Sequence, residues 1–104
     1  MIFSIIKNEK VLFNSCKPKQ ISQENKTQKQ NDAGTPLWTV ECLTAGDFGM
    51  EQVRVTVPSE KNPAERIQVM NAVEFENLQV HISYSRKDRQ KIVWFTADSV
   101  KIAG

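Results

Sequence analysis

The chain contains few of the residues that mark specialised protein classes. Its 104 residues include 2 cysteines, 4 glycines, 4 prolines and 1 histidine. So little glycine and proline excludes collagen-like and low-complexity classes, and two cysteines do not make a disulfide scaffold. A structural zinc site is not expected, because one histidine and two cysteines without CxxC spacing do not supply four ligands.

Motifs of nucleotide binding and nucleophilic catalysis are also missing. The sequence contains no GxGxxG, GxxxxGK[ST] or GxSxG, which leaves phosphate loops and nucleophile elbows unsupported. Glu74 and Glu76 share a strand face, which is more often simply solvated than used for hydrolysis. His81 has no recognisable orienting partner, so a surface position is expected. The sequence therefore predicts neither an enzyme nor a bound cofactor.

Long hydrophobic runs are absent as well. The apolar stretch Met1–Ile6 ends at Lys7, which is too short for a signal peptide and far below a membrane span. A cytoplasmic protein without a membrane partner is expected. In that compartment Cys16 and Cys42 are predicted to be free thiols.

The charge is small but unevenly distributed along one predicted domain, 1–104. The net charge is +2, yet residues 1–35 carry six lysines and three acidic residues. An N-terminal strand region is predicted over 1–16. The stretch 17–35, rich in Gln, Asn and Lys, is predicted to be a mobile polar loop. The core is assigned to 36–104.

From Pro36 onward, apolar and polar residues alternate as in half-buried strands. The alternation is clearest in Leu37–Thr44 and Met50–Val57, which Pro58 ends. A third strand is expected to start over Ile67–Asn71, and a change of phase at Glu76–Asn77 predicts a bulge or break. Ile92–Phe95 shows no clear alternation, so both of its faces are expected to be covered. Short strands at this spacing predict an all-β, small OB-like barrel of five or six strands with little helix.

Basic and aromatic residues together suggest the chemistry. Basic side chains contact phosphates and aromatic rings stack on bases in sequence-tolerant single-strand binding. Because neighbouring strand residues face opposite ways, at least one of Trp94 and Phe95 is expected in the core. Tyr84 is the expected stacking residue, with Trp38 and Phe48 as further candidates. The predicted nucleic-acid-binding residues are Arg54, Tyr84, Arg86, Lys87, Arg89, Lys91, Lys17, Lys19, Lys26 and Lys29. The 86–91 turn is expected to contribute more than the 17–34 loop, because ordering a mobile loop costs entropy.

The C-terminal two thirds, 36–104, resembles the HelP-like family, small auxiliary replication proteins of integrative and conjugative elements in Gram-positive bacteria. A glycine-led valine strand ending in proline, a second valine-rich strand and an aromatic strand with an A-D-S-hydrophobic tail carry the resemblance. The matching residues are Gly49, Val53, Val55, Val57, Pro58, Val73, Phe75, Asn77, Trp94, Ala97, Asp98, Ser99 and Val100.

The resemblance implies an OB-like single-strand-binding architecture that raises the processivity of a host helicase during replication and transfer of a mobile element. Single-stranded DNA, the helicase and the element's relaxase are the implied partners. The alternative is a protein–protein adaptor of the conjugative machinery that does not touch DNA. Binding of DNA by the purified protein distinguishes the two.

Overall fold

The computed structural model describes residues 11–20, 27–46, 49–87 and 89–103. These residues form seven β-strands, and none of them lies in a helix. The strands are β1 Leu12–Pro18, β2 Leu37–Gly46, β3 Gly49–Pro58, β4 Val73–Glu76, β5 Gln79–Tyr84, β6 Lys91–Thr96 and β7 Ser99–Ile102. The all-β class is thus confirmed. Over the described ranges, no helix is long and apolar enough to cross a membrane.

The strands pair in two sheets. A five-stranded sheet has the order β1-β2-β3-β6-β5, and β4 pairs with β7 in a two-stranded sheet. The β2–β3 hairpin pairs in register over all ten residues of each strand. By contrast, β6 lies parallel to β3 and pairs only at Val55 with Phe95 and at Thr56 with Thr96.

Backbone hydrogen bonds tie the small sheet to the large one. At β1, Phe13 N donates to Asn71 O at 2.8 Å, and Val73 N donates to Val11 O at 2.9 Å. At β3, Ala97 N donates to Thr56 O at 3.0 Å. The described strands therefore surround a common core in two linked sheets, and within the described ranges they do not pair into one closed barrel.

The phase change at Glu76–Asn77 is a real strand break. β4 ends at Glu76, and Asn77 adopts a left-handed backbone with φ 52° before β5 begins. The segment that pairs with β4 and β5 is interrupted at the same level, because residues 97 and 98 separate β6 from β7. Asp98 N donates to Glu76 O at 2.9 Å, and Asn77 Nδ2 donates to Asp98 Oδ2 at 3.2 Å. These two breaks explain why seven strands replace the expected five or six.

The core is built from the alternating apolar residues of β2 and β3. Val40, Cys42, Val55 and Val57 are fully buried, as the alternation predicts. The other buried apolar residues come from β3, from the region of β1, from the 59–72 connection and from the C-terminal part of the chain: Val53, Val11, Phe13, Ala64, Val73, Phe75, Phe95, Ala97 and Val100.

The third strand expected over Ile67–Asn71 is wrong. No residue of this segment lies in a strand, and Val69, 63% exposed, and Met70, at φ 72°, form a turn. A residue in the left-handed region cannot continue an extended strand. The backbone at Met70 instead turns toward β1 and donates its N–H to Phe13 O at 2.7 Å. Hydrophobicity alone did not reveal this long-range contact.

The two covered faces expected for Ile92–Phe95 are also wrong. Only Phe95 is buried, whereas Ile92, Val93 and Trp94 are 49%, 36% and 41% exposed. Because β6 pairs with β3 at only two positions, its first residues extend beyond the core together with β5. The β5–β6 hairpin therefore projects from the sheet.

Candidate nucleic-acid interface

A groove lies on the side of the five-stranded sheet that faces away from the core. Its volume is about 610 Å³, and it is lined by the end of β1, Thr39 and Glu41 of β2, Arg54 and Thr56 of β3, and Trp94 of β6. The same alternation that buries Val40 and Val55 turns these side chains outward. The groove is thus the polar face of the strands whose apolar face makes the core.

Lys17 and Lys19 form one wall of the groove. Lys17 belongs to β1 and pairs with Thr39. Both backbone polar groups of Lys19 are hydrogen-bonded: its N donates to Leu37 O at 3.0 Å, and its O accepts from Lys29 N at 2.6 Å. Its Nζ donates to Thr56 Oγ1 at 3.0 Å. Burial, and next the charge of Lys29, lower the pKa of Lys19.

The segment that follows is built around a turn. Asn31 Oδ1 accepts from Ala33 N at 3.0 Å and from Thr35 N at 2.9 Å, an Asx-type turn. Leu37 N donates to Lys29 O at 2.8 Å, which places Lys29 beside the end of β1. Lys26 lies outside the described residues. Of the four lysines predicted in the 17–34 stretch, the structure therefore brings Lys17, Lys19 and Lys29 together.

Arg54 shares the groove with an acidic residue that the sequence analysis did not single out. Arg54 Nε lies 3.4 Å from Glu41 Oε1, with side chains 68% and 14% exposed. Glu41 Oε2 also accepts from Ser15 Oγ at 3.1 Å and from Gln52 Nε2 at 2.8 Å. Glu41 therefore offsets one positive charge in the groove. The strand parity of Glu41 was visible in the sequence, but its register with Arg54 depends on the β2–β3 pairing.

Trp94 supplies the aromatic surface of the groove. Its ring stacks on His81 with centroids 5.2 Å apart and an interplanar angle of 13°. His81 Nε2 lies 2.8 Å from Thr96 Oγ1, within hydrogen-bond distance. His81 thus lies on the outward face of the sheet, partly exposed and with two partners. The expectation that Trp94 and Phe95 face opposite ways is confirmed, since Phe95 is 7% exposed and Trp94 41%.

The predicted basic turn lies at the end of the β5–β6 hairpin, where Ser85 N donates to Gln90 O at 2.9 Å. We call its four exposed cations the basic tip: Arg86, Lys87, Arg89 and Lys91. Lys91 lies three residues from Trp94 along β6, about 10 Å at the usual rise of a strand. Lys91 has the strand parity of Phe95 and thus lies on the face opposite Trp94, so the basic tip lies beyond the groove and does not line it.

The expected stacking residues lie elsewhere. Tyr84 is 70% exposed and pairs with Lys91, which puts it on the hairpin face opposite Trp94. Trp38 is half-buried and donates its indole Nε1–H to Ser59 O at 2.9 Å on the core side of β2. Phe48 lies outside the described residues. Trp94, which the sequence placed in a run without clear alternation, is the aromatic residue that shares a face with Arg54.

Both cysteines are free thiols. Burial raises the pKa of Cys16 to about 11, and a backbone hydrogen bond with Ala64 partly opposes the rise. Burial, and next the proximity of Cys16, raise the pKa of Cys42 to about 12. Across the described ranges, no group of three or more His, Cys, Asp or Glu side chains is placed to hold a metal ion.

Comparison with known proteins gives no match for this chain. No family model matches the chain, and no curated protein or solved structure matches it significantly. The resemblance to the HelP-like family stays a prediction from the sequence.

Proposed function

We propose that the chain is a non-catalytic single-stranded DNA-binding protein that assists replication and transfer of a mobile element. The observation that carries the proposal is the groove, where Lys17, Lys19 and Arg54 lie on the same sheet face as Trp94. Cations together with an exposed aromatic ring are the two components of sequence-tolerant single-strand binding. The outer face of a small β-barrel sheet is also where OB-folds bind oligonucleotides.

The cations act on the phosphate backbone. Lys17, Lys19 and Arg54 supply cations within the groove, and the basic tip supplies further exposed cations at the end of the β5–β6 hairpin. Each neutralised phosphate on a single strand lowers the slope of log K against log salt by about 0.7. About four contacts therefore give a slope near −3.

The bases are expected to stack on Trp94, which itself stacks on His81. His81 covers one face of the indole, and the exposed part of the ring accepts a base that is already unpaired. Stacking of this kind contributes about 1–3 kcal/mol per base and does not depend on base identity. A base inside a duplex is not accessible to such a ring, which favours single strands.

The link to a helicase comes from the HelP-like resemblance. A protein that holds unwound strands apart favours forward steps of the helicase over reannealing. Unwinding of a long duplex by a purified host helicase is expected to proceed further when the protein is present.

The direct test is fluorescence anisotropy of a labelled oligothymidine and a duplex of equal length, at about 50 mM and about 200 mM salt. Single strands are expected to bind tighter and to weaken with salt. Trp94→Ala is expected to reduce affinity about tenfold, whereas Tyr84→Ala on the opposite face changes it less than about twofold. Absence of single-strand binding at the lower salt overturns the proposal and favours the adaptor function.

A further inference from the structure

We infer that two copies of this chain associate through the free edge of β5, in antiparallel register about Ile82. β5 is the last strand of the five-stranded sheet, and within the described ranges it is paired on one side only, with β6. Half of the backbone N–H and C=O groups of such a strand point away from the sheet. An edge of this kind is a template for another strand.

The sequence of β5 has none of the features that block edge pairing. Such features are charged side chains, proline and bulges. Gln79–Tyr84 contains no charge and no proline, and its register with β6 is continuous. β1, at the other edge, has a register shift between Phe13 and Ser15, and carries Lys17 and Pro18.

The exposed apolar side chains of the hairpin concentrate at the same edge. Ile82 is 55% exposed and Tyr84 70%, and across β6 Val93 is 36% exposed on the same face. Exposed apolar side chains grouped on one element mark interaction surfaces. The unpaired backbone groups and the exposed apolar side chains thus both indicate β5 as the interaction edge.

The side chains of β5 suit a second copy of the same strand. With Ile82 on a two-fold axis, it lies beside Ile82 of the second copy, and Val80 lies beside Tyr84. These apolar residues share one face, so apolar meets apolar throughout. His81 then lies beside Ser83 on the other face. No like charges meet, because β5 has no charged residue.

The charges beyond β5 are complementary in this register. Residues 86 and 87 of one copy run toward residues 77 and 78 of the other, next to Glu76, which is exposed and has Asp98 beside it. Glu76 already has an ion pair with Lys101, but at 3.7 Å with both side chains more than half exposed this pair is weak. Arg86 and Lys87 therefore approach an acidic end of the second copy.

The two-fold axis of an antiparallel pair is perpendicular to the sheet. The outward faces of the two copies therefore lie on the same side of the joined sheet. The grooves of both copies then open on one surface, and the inference holds whether or not that surface binds DNA. An interface restricted to one strand and its neighbours is small, and interfaces of this size associate weakly.

Sedimentation equilibrium from about 1 to about 200 µM protein covers the range of weak association. The mean mass is expected to rise toward twice the chain mass. Ile82→Lys, which places two like charges together on the axis, is expected to keep the protein monomeric throughout. Val69→Lys is the matched control, since Val69 is 63% exposed and its neighbour Met70 bonds to β1, at the opposite edge of the sheet. Circular dichroism checks that both variants fold.

The register has its own test. Residues directly opposite in antiparallel strands have Cα atoms about 4.5–5.5 Å apart, which is within disulfide range. Ile82→Cys is therefore expected to form a disulfide-linked dimer on mild oxidation, whereas Val69→Cys and the unmodified chain remain monomeric on a non-reducing gel. A monomer at every concentration, or equal dissociation by both lysine variants, overturns the inference.

Discussion

The two ends of the five-stranded sheet differ in how much of each strand is covered. At the β1 end, Phe13 is buried and the backbone bonds to the segment 70–73 on its second side. At the β5 end, Ile82 and Tyr84 are more than half exposed, and Ile92 and Trp94 are exposed on the opposite face. The two ends have similar apolar content, so composition does not explain the difference.

The extent of strand pairing explains the difference in exposure between the two ends. β2 and β3 pair over ten residues each, and β4 and β7 cover their inner face, so the inward-facing Val40, Cys42, Val53, Val55 and Val57 have a second layer. β6 pairs with β3 at two residues only, and the hairpin then leaves the core. An alternating strand buries its apolar face only where a second layer exists. The β1 end is therefore covered on its core side, whereas the β5 end has no second layer.

The largest expected contrast is in stability. Phe13→Ala at the β1 end is expected to lower the free energy of unfolding by about 3–5 kcal/mol, because it removes a buried ring. Tyr84→Ala at the β5 end is expected to change it by less than about 0.5 kcal/mol. Urea denaturation at low protein concentration measures both. Equal losses contradict the division of the sheet into a covered and a free end.

The thiols at the covered end predict a loss of stability at alkaline pH. The pKa of Cys42 is about 12 in the folded protein against an ordinary 9.0. The folded state therefore keeps its full stability below pH 9 and loses it as pH rises from 9 toward 12. The loss per pH unit is expected to be about 1 kcal/mol.

Urea denaturation of the wild-type chain and Cys42→Ala at pH 8 and 10.5 isolates this contribution, since lysine and tyrosine titrate in both. The difference between the two proteins is expected to shrink at the higher pH. An unchanged difference contradicts the burial of Cys42. Mass spectrometry is expected to find both thiols free in protein purified without oxidation.

The DNA-binding contributions of the two ends are expected to differ in a direction opposite to the sequence argument. Lys17 and Lys19 are positioned by β1 and by backbone bonds, so binding DNA does not require ordering them. The triple change of Lys17, Lys19 and Lys29 to Ala is expected to weaken single-strand binding about tenfold. The triple change of Arg86, Lys87 and Lys91 to Ala is expected to weaken it about threefold.

Anisotropy titrations at equal salt give both values, and Lys61→Ala with Arg66→Ala is a control away from the groove. A larger loss from the tip variant means that DNA runs mainly over the β5 end. In either case, the slope against log salt is expected to flatten by about 0.7 per removed contact.

The smallest expected effect has the opposite sign. Glu41→Gln removes the charge that offsets Arg54 in the groove while keeping an acceptor for Ser15 and Gln52. Single-strand affinity is expected to rise about threefold to fivefold, since a unit charge at about 4 Å in water amounts to about 1 kcal/mol. Glu65→Gln, at an exposed position of the 59–72 connection, is the control. A fall in affinity indicates that Glu41 positions Arg54 rather than repelling phosphate.

The kinds of residue in the candidate site, cations and an aromatic ring, were predictable from the sequence, but which residues lie together was only partly predictable. Arg54 and the β1 lysines carry a local signal, because charge in a strand or polar stretch implies exposure. The roles of Glu41 and Trp94 were not predictable in this way, since they depend on which strands lie beside them. The ring stack on Trp94 in particular depends on the pairing of His81 with Trp94 across the β5–β6 hairpin.

Period-two alternation, proline and the phase change at Glu76–Asn77 are local properties, and they determined the all-β class, the strands β2 and β3, and the break after β4. Only the tertiary structure decided that 67–71 turns toward β1, that Ile92–Trp94 is exposed and that Glu41 lies against Arg54. The reason is that side-chain direction along a strand depends on neighbouring residues, whereas burial requires a second layer brought from far along the chain.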